Sequence, residues 1–586
     1  MSSSLPPAQL PPIPEVGLIS YVPGLWVLRH YRRAWLARDL GAGVVLSALL
    51  VPAGMGYAEA AGLPAINGLY ATIAGLFAYA LFGPSRILVL GPDSALAAMI
   101  AAAVVTKAAG DPARAVALAS VLALFTGGLC VVGGLAKLGF ITDLLSKPVR
   151  VGYLNGIALT VVVTQLPKLF GFSVTAADLT HGSVAFAHGV LDGQTKPVAL
   201  ALGTICVAVI VLGRALAPRA PSVLLAVVLA TGAVTWLGLE AQLKVVGVVP
   251  RGLPLPALPL VRFSELGELF VAAAGIALVS FADTSVLSRT FAARARQRVD
   301  PNRELVGLGL ANLAAGLFRG FPTSSSSSRT PVAEAAGART QLTGVFGALV
   351  IAGLLVAAPG LLRNLPLTAL AAIVITAAAK MFDFGALRVF FRVRRSDFLL
   401  SLVAFFAVAG FGVLNGIGIA VGVSLLDVVR RAWRPHDAVL GRARGVKGYH
   451  DVHRYPHAQQ VPGLLLFRWD APLFFANADT FRERILHAIE GATAPVKWVV
   501  VAAEPITDVD TTAAEMLEEL DAELSARGVE LAFAELKDPV KDRLQRYGLA
   551  KRIGRDFFFP TVGVAVKAFL QHHDVKWTDW EETSAD

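Results

Sequence analysis

The sequence predicts a multi-pass α-helical membrane protein with a soluble α/β domain at its C-terminal end. Apolar residues make up 55% of the 586-residue chain and charged residues only 16%, whereas a soluble domain carries about 25% charged residues. Apolar runs follow one another with short breaks from about residue 40 to about residue 430. From residue 462 onward, short apolar runs alternate with amphipathic stretches, as strands and helices do in an α/β domain.

The apolar part divides into about fourteen segments, since a helix needs roughly 20 apolar residues to cross a bilayer. The predicted segments are 40–60, 66–82, 92–106, 114–136, 149–171, 196–215, 221–239, 267–290, 303–318, 328–338, 340–359, 366–381, 397–410 and 412–429. The segments after Gly91-Pro92 and after Ser328 are too short to cross about 30 Å of hydrocarbon. Each follows two longer segments, so the two halves look parallel in segment order. Paired interrupted segments indicate the central site of a transporter.

The distribution of positive charge predicts the orientation. Several even-numbered connections between segments are rich in arginine, whereas the stretch 172–195 contains neither lysine nor arginine. Because cytoplasmic loops carry an excess of these residues, we expect a cytoplasmic N-terminus and a cytoplasmic C-terminal domain on a protein of the plasma (inner) membrane. The net charge of +10 is then explained by these loops, and no nucleic-acid partner is expected.

The chain is predicted to contain five regions. They are a cytoplasmic segment (1–38), a transmembrane transport domain (39–430), a basic linker (431–461), a soluble domain (462–575) and a tail (576–586). The strands predicted in the soluble domain are 463–469, 497–502 and 529–534, and the helices are 480–490, 512–527, 538–547 and 561–571.

The first candidate site is the start of the segment after Gly91-Pro92, with Asp93, Ser94 and Ala95. A helix that begins inside the membrane directs unpaired N–H groups and the positive end of its dipole toward the interior, where an anion can bind. An ionised Asp93 would repel an anion, so this carboxylate is either protonated together with the substrate or hydrogen-bonded as a helix cap. The alternative is that Asp93 only caps the helix.

The second candidate site is the serine-rich stretch 321–330, with Ser326, Ser327, Ser328 and Arg329. Hydroxyl groups and backbone amides can replace the hydration shell of an oxyanion, and a charged residue within a membrane segment indicates a functional site. The alternative is a flexible linker, which serine runs often form.

The third candidate is Asp283, with Thr284 beside it in an apolar segment. An acidic residue there is costly unless it is paired or protonated. Together with Asp93, it is a candidate site for coupling to a proton or a sodium ion. The alternative is an interfacial position, because Arg289 follows six residues later.

In the soluble domain, Asp510, Thr511 and Thr512 precede or begin a predicted helix and are candidate regulatory residues. A threonine there could accept phosphate or bind an anion, but N-capping is the favoured interpretation. Cys130 and Cys206 lie in apolar stretches and predict neither a disulfide framework nor a metal site. Nucleotide-loop, zinc-ligand and catalytic-triad patterns are not found, so we expect no cofactor, no metal and no enzymatic activity.

Several short motifs occur in an order that resembles the SulP family of anion permeases. They are Val51-Pro52, Gly56-Tyr57-Ala58, Gly62-Leu63-Pro64, Gly68-Leu69-Tyr70, Phe82-Gly83-Pro84-Ser85-Arg86, Gly91-Pro92, Leu145-Ser146-Lys147-Pro148, Gly152-Tyr153, Gly156, Asn302, Glu304-Leu305, Gly309-Leu310-Ala311-Asn312, Ser326, Ser328-Arg329-Thr330 and Gly337-Ala338-Arg339-Thr340-Gln341. In the soluble domain, Phe474-Phe475-Ala476-Asn477-Ala478 and Thr507-Asp508-Val509-Asp510 resemble STAS domains.

The resemblance implies two inverted repeats of about seven helices each, arranged as a core and a gate domain. It implies an anion site between the facing ends of the third and tenth helices, flanked by the first and eighth. That site would include Asp93, Ser94, Asp283, Ser328 and Arg329. It also implies homodimers, an elevator-like movement of the core, and a regulatory or folding role for the STAS domain, which a separate regulator could bind.

Two positions depart from the family pattern. Ala53 stands where many members have glutamine, and Asp93 stands where many have an aromatic or neutral residue. An added carboxylate is compatible with proton-coupled uptake, so we expect proton-coupled transport of sulfate. The alternatives are a sodium-coupled bicarbonate or C4-dicarboxylate transporter, and an anion exchanger or channel.

Overall fold

The computed structural model describes residues 21–140, 146–174, 179–217, 221–294, 299–326 and 329–577. The chain forms two compact units, Met1–Ser424 and Leu425–Asp586. The first contains the candidate transport site and the second contains the STAS-like domain.

The first unit is built almost entirely from helices. They are α1 (Pro23–Arg29), α2 (Arg33–Ala60), α3 (Ala65–Phe82), α4 (Ser94–Ala108), α5 (Pro112–Leu135), α6 (Lys147–Leu169), α7 (Leu179–Leu191), α8 (Pro197–Leu216), α9 (Ser222–Trp236), α10 (Leu266–Arg294), α11 (Pro301–Leu317), α12 (Arg329–Ala335), α13 (Leu342–Ala357), α14 (Leu367–Ala378), α15 (Phe384–Val393), α16 (Arg395–Phe411) and α17 (Val413–Trp433), whose last turns belong to the second unit. Within the described ranges, eight helical stretches are long and apolar enough to cross a membrane, and α4, α9 and α13 are shorter apolar helices.

A helix occupies the place of every predicted segment, with ends that differ by a few residues. The prediction did not include α1, α7 and α15, which have 7, 13 and 10 residues. These helices were missed because the sequence was searched for apolar runs long enough to span a bilayer. In addition, α2 begins at Arg33, so its first turns lie in the predicted cytoplasmic segment 1–38.

Small residues let the helices around the candidate site pack closely. A Cβ atom placed on Gly68 of α3 would lie 1.9 Å from the carbonyl oxygen of Gly54 in α2. A Cβ atom on Gly309 of α11 would lie 2.7 Å from the carbonyl oxygen of Gly127 in α5. Such contacts between backbones are typical of helix packing in membranes. Lipid supplies no hydrophobic driving force between helices, so small residues favour association by letting the backbones pack closely.

Two short strands meet at the centre of the unit. Strand β1 (Leu90–Gly91) leads into α4, and strand β2 (Ser324–Ser325) comes before α12. They pair antiparallel, with Leu90 opposite Ser325 and Gly91 opposite Ser324. The chain therefore leaves the two strands in opposite directions. The halves share their segment order, as predicted, but these broken segments run in opposite directions, as the inverted repeats implied by the resemblance require.

The second unit contains a six-stranded sheet of order β4-β3-β5-β6-β7-β8. Its strands are β3 (Asp437–Arg442), β4 (Tyr449–Asp451), β5 (Leu464–Trp469), β6 (Trp498–Ala502), β7 (Glu530–Ala534) and β8 (Phe558–Phe559). Strands β5 to β8 are parallel, and β3 pairs antiparallel with both β4 and β5. The helices are α18 (Ala478–Glu490), α19 (Thr511–Ala526), α20 (Asp538–Arg546), α21 (Leu549–Ile553) and α22 (Val562–His572).

The predicted linker 431–461 needs correction. It contains β3 and β4, and β3 pairs with β5 along Asp437–Leu440. The sheet therefore begins before residue 462. The pattern did not reveal these strands because their apolar residues, such as Val439 and Leu440, stand in a short run among many basic residues.

Candidate functional site

Arg329 ties the two broken segments together. The residue is only 2% exposed, and its guanidinium donates hydrogen bonds to three backbone carbonyls. Nη2 bonds the oxygens of Gly91 at 3.2 Å and Ser324 at 3.5 Å, and Nη1 bonds the oxygen of Pro92. Since these carbonyls belong to both segments, one buried cation fixes the geometry at which the segments face each other.

Asp93 caps α4, which is one of the two roles that the sequence left open, and it also faces a buried cation. Its Oδ1 accepts a hydrogen bond from the backbone N–H of Ala95 at 3.0 Å, which caps α4. Its Oδ2 lies 3.9 Å from Nη2 of Arg329, and the side chain of Ser326 also hydrogen-bonds the carboxylate. The carboxylate therefore caps the half-helix and faces the buried cation at the same time.

The described part of the serine run is buried structure. Ser324 and Ser325 form strand β2 and are 1% and 2% exposed, and Ser326 is 6% exposed. The linker alternative is wrong for these residues, because β2 is paired to β1. The predicted site residues Ser327 and Ser328 lie outside the described residues.

Ser94, Ala95 and Ala53 lie where α4 begins and where α2 passes it. Ala53 and Ala95 are buried in one apolar cluster, which also contains Tyr57. The hydroxyl of Ser94 donates to Sδ of Met381 at 3.3 Å and is hydrogen-bonded to Tyr57. The first turn of α4 is therefore joined by polar contacts to α2 and to the end of the α14 region.

Asp283 and Thr284 belong to α10, which packs beside β2. The hydroxyl of Thr284 accepts from the backbone N–H of Ser325 at 3.4 Å. The charge of Asp283 interacts with Asp93 and with Arg150 of α6. This arrangement favours a position beside the candidate site over the interfacial alternative, and the coupling role stays a prediction.

We call the place where β1, β2, the start of α4 and Arg329 meet the junction. Several buried polar atoms near it have no hydrogen-bond partner among the described residues. They are Oγ1 of Thr323, Oγ of Ser325, Nε of Arg329 and the hydroxyl of Tyr153. Buried polar atoms are usually paired, and exceptions often mark a functional site. All four can donate hydrogen bonds, and their role in binding an anion stays a prediction.

Tyr57, Tyr153, Arg150 and Arg214 are not among the site residues predicted from the sequence. Tyr57 hydrogen-bonds Ser94, and its hydroxyl also interacts with the charge of Arg214. Tyr153 interacts with Asp283. Both tyrosines occur in the motifs that carry the family resemblance. Arg214 was interpreted only as a loop charge that indicates orientation, and Arg150 lies at the start of the predicted segment 149–171, where it was not singled out.

A cavity of about 390 Å³ lies apart from the junction, at the end of α2 and α6. Lys168 donates to the backbone oxygen of Glu59 at 2.7 Å, and its Nζ lies 3.4 Å from Oε2 of Glu59. Gln165 also lines the cavity. Asp93, Asp283 and Arg329 do not line it, so this ion pair joins two helices away from the candidate site.

In the second unit, Asp510 caps α19. Its Oδ1 accepts from the N–H of Ala513 at 2.8 Å, and its Oδ2 accepts from the N–H of Phe475 at 2.8 Å. Thr511 and Thr512 are exposed in the first turn. The favoured capping interpretation therefore applies to Asp510 and not to a threonine, and a regulatory role for the three residues stays a prediction.

Replacing Asp510 by alanine should loosen the start of α19, because two backbone N–H groups lose their acceptor. We expect a cost of about 1–2 kcal/mol. Hydrogen–deuterium exchange of the full-length protein should then be faster at the first turn of α19. The control Thr512→Ala should exchange at the original rate, and equal acceleration in both variants would contradict the assignment of the cap.

Within the described ranges, no group of three or more histidine, cysteine, aspartate or glutamate side chains could hold a metal ion. Cys130 and Cys206 are free and buried. The polar groups at the junction are suited to contacts with a small charged solute.

The fold and the junction define a class of protein: a multi-pass membrane transporter whose broken helices face each other inside the bundle. The chain belongs to the sulfate permease family, which its residues 36–404 match. Residues 455–565 match the STAS domain. The resemblance inferred from the motifs is confirmed, and the chain is a transporter and not an enzyme.

Known proteins similar to this chain include a probable sulfate transporter of Mycobacterium tuberculosis. It is 42% identical over 95% of this chain and 99% of its own length. The structure of the murine solute carrier 26 family member A9 anion transporter, in its inward-facing state, has a TM-score of 0.86 and covers 95% of each chain at 21% identity, which shows the fold. The transmembrane domain of the cyanobacterial bicarbonate transporter BicA has a TM-score of 0.58 at 25% identity, and covers 67% of this chain and 97% of that domain.

Proposed function

We propose that the chain is a secondary active transporter that takes up sulfate together with protons by an elevator-like movement. We further propose that it works as a homodimer in the plasma (inner) membrane, with its N-terminus and STAS domain in the cytoplasm, where a regulator can bind. The observation that carries the proposal is the junction of the two broken segments, where the buried Arg329 lies 3.9 Å from the carboxylate of Asp93 and the charge of Asp93 interacts with that of Asp283. Support for sulfate comes from the 42% identical relative, which is named as a probable sulfate transporter.

The charges at the junction support coupling to protons. Arg329 and Arg150 each supply a positive charge that acts on these carboxylates, whereas Asp93 and Asp283 supply two negative charges when both are ionised. A sulfate dianion is repelled by ionised carboxylates, and this repulsion is stronger inside a protein than in water. Protonation of the carboxylates removes the repulsion, so protons and sulfate would bind together.

A second candidate function is sodium-coupled transport of bicarbonate, which the likeness to BicA favours. The oxygen atoms of Asp283 and Thr284 are of the kind that hard cations prefer. A C4-dicarboxylate transporter, an anion exchanger and a channel are the other outcomes that a transport assay can give.

Uptake of labelled sulfate into proteoliposomes, with and without an acidic exterior, tests the proposal. Accumulation only under the proton gradient is the expected result. Uptake that needs an inward sodium gradient, with competition by bicarbonate or fumarate, would favour the second candidate. Sulfate equilibration without accumulation under either gradient would indicate a channel or an exchanger.

Asp93→Asn should abolish the dependence of uptake on the proton gradient, because asparagine cannot accept and release the proton. Asparagine is as good a helix cap as aspartate, so α4 should keep its start. Asp111→Asn is the matched control, because Asp111 caps α5 through the N–H of Ala113 at 2.9 Å on an exposed surface. Gradient dependence should survive in the control, and its survival in Asp93→Asn would exclude this role of Asp93.

A further inference from the structure

The connection between α9 and α10 displays a row of leucines to its surroundings. Leu253, Leu255, Leu258 and Leu260 are 50%, 79%, 77% and 92% exposed. Leaving such side chains in water costs about 25 cal/mol per Å² of apolar surface. Contiguous exposed apolar surface of this kind usually marks a membrane or protein contact.

The backbone of this connection is fixed to the ends of two helices. The N–H of Ala257 donates to the oxygen of Leu317, the last residue of α11, at 2.9 Å. The N–H of Gly252 donates to the oxygen of Leu355, in the last turn of α13, at 3.1 Å. The row of leucines therefore lies at the level where membrane helices end, which is the boundary between acyl chains and headgroups.

The composition of the row suits that boundary. Residues 252–261 contain no charged side chain, and the stretch is flanked by Arg251 and Arg262. Pro254, Pro256 and Pro259 have no N–H group, which lowers the number of backbone donors that would otherwise need a partner in an apolar environment. Arginines beside an apolar stretch can extend their charged ends to the headgroups.

The row continues an apolar surface on the neighbouring helices. Trp236 at the end of α9 and Phe263 just before α10 are 90% and 88% exposed, and Val271 in α10 is 72% exposed. Aromatic residues are enriched at the level of the headgroups. The leucines thus add to the exposed apolar surface of α9 and α10, and the exposed Arg251 and Arg262 lie at the two ends of the row.

We propose that residues 252–261 form an interfacial segment that inserts its leucines among the phospholipids of the leaflet in which α9, α11 and α13 end. The segment is held to the protein by its two backbone hydrogen bonds and to the bilayer by its side chains. This inference is independent of the transported anion and of the coupling ion.

Lipid contact can be measured with an environment-sensitive fluorophore on introduced cysteines in nanodiscs of phosphatidylcholine. The test variants are Leu255→Cys and Leu260→Cys, and Gln545→Cys, on the exposed surface of α20 in the STAS domain, is the control. Cys130 and Cys206 are buried, and the unsubstituted protein measures any labelling of them. Lipids with a nitroxide near the headgroup should quench the two test sites at least about two-fold more than the control site, because interfacial segments lie 5–10 Å deep in the bilayer.

Iodide, a quencher dissolved in water, should give the opposite order. Equal quenching by iodide at all three positions would overturn the proposal, since the leucines would then lie in water. Efficient crosslinking of Leu258→Cys between two copies would also overturn it, because the surface would be an interface between protomers. Thermal unfolding of each variant shows that the label has not disrupted the fold, and Leu258→Cys can replace a test variant that does not fold.

Discussion

Arg329→Gln is expected to abolish anion uptake and to destabilise the transport domain. Glutamine is shorter and uncharged, so the carbonyls of Gly91, Pro92 and Ser324 lose a donor that joins both broken segments. Asp93 also loses the cation that lies 3.9 Å from its carboxylate. Removal of one partner from a buried charged network costs about 3–5 kcal/mol.

The loss of uptake should be larger than the loss of stability explains. A site for a small anion needs positive charge, and among the described residues Arg329 is the arginine that bonds both broken segments. We expect uptake to fall by at least about 100-fold, which corresponds to about 2.7 kcal/mol. Uptake into proteoliposomes and thermal unfolding in detergent, measured on the same preparation, separate the two effects.

Two further variants test whether the effects of Arg329→Gln come from the charge and the donors of this particular arginine. Arg329→Lys keeps the charge but lacks the planar set of donors that reaches several carbonyls, so it should recover more uptake than stability. Arg294→Gln removes an exposed arginine that lies 3.2 Å from Glu334, and exposed pairs contribute about 0–1 kcal/mol. If folded Arg329→Gln transported at the original rate, Arg329 would be structural only.

Asp39→Ala should give the largest loss of stability that does not involve the candidate site. Asp39 is fully buried, and its carboxylate accepts hydrogen bonds from five donors. These are the hydroxyls of Tyr31, Thr340 and Thr343 and the backbone N–H groups of Arg339 and Thr340. Burial and the neighbouring carboxylate raise the pKa of Tyr31, so this tyrosine keeps its donated proton.

Alanine would leave several buried donors without an acceptor, and each costs about 1–3 kcal/mol. Part of this cost is relieved by local movement, so we expect a net loss of about 3–5 kcal/mol. Thermal unfolding of the purified protein measures the effect, and Asp192→Ala in an exposed loop serves as control. An unchanged unfolding temperature in Asp39→Ala would show that the carboxylate does not hold α2 to the start of α13.

The positions of the helices could be predicted because a membrane imposes a simple length rule. Every long apolar run corresponds to a helix, and the breaks before Asp93 and Arg329 were visible as glycine, proline and serine. Part of the chemistry of the site could also be predicted, because charged residues are rare in apolar segments. Ser327 and Ser328 lie outside the described residues, so their predicted role stays untested.

The contacts of Asp39 show what the local sequence pattern could not reveal. Four of its five donors lie about 300 residues away in the sequence, and Asp39 itself stands beside Arg38 at the edge of an apolar run. A local pattern therefore assigns it to the interface. The same is true of β3 and β4, which are strands because they pair with β5 and not because of their own composition.

The number and order of the membrane segments, the two breaks, the STAS-type domain and the family could be inferred from the sequence alone. These features depend on local hydrophobicity, chain breaks and short motifs, which can be read along one dimension. The folded structure was needed to establish that Asp93 both caps α4 and faces Arg329, that Asp510 and not a threonine caps α19, and that Tyr57 and Arg150 lie near the site. Each of these depends on hydrogen bonds or charges between groups that the fold brings together, whose distance the linear order does not specify.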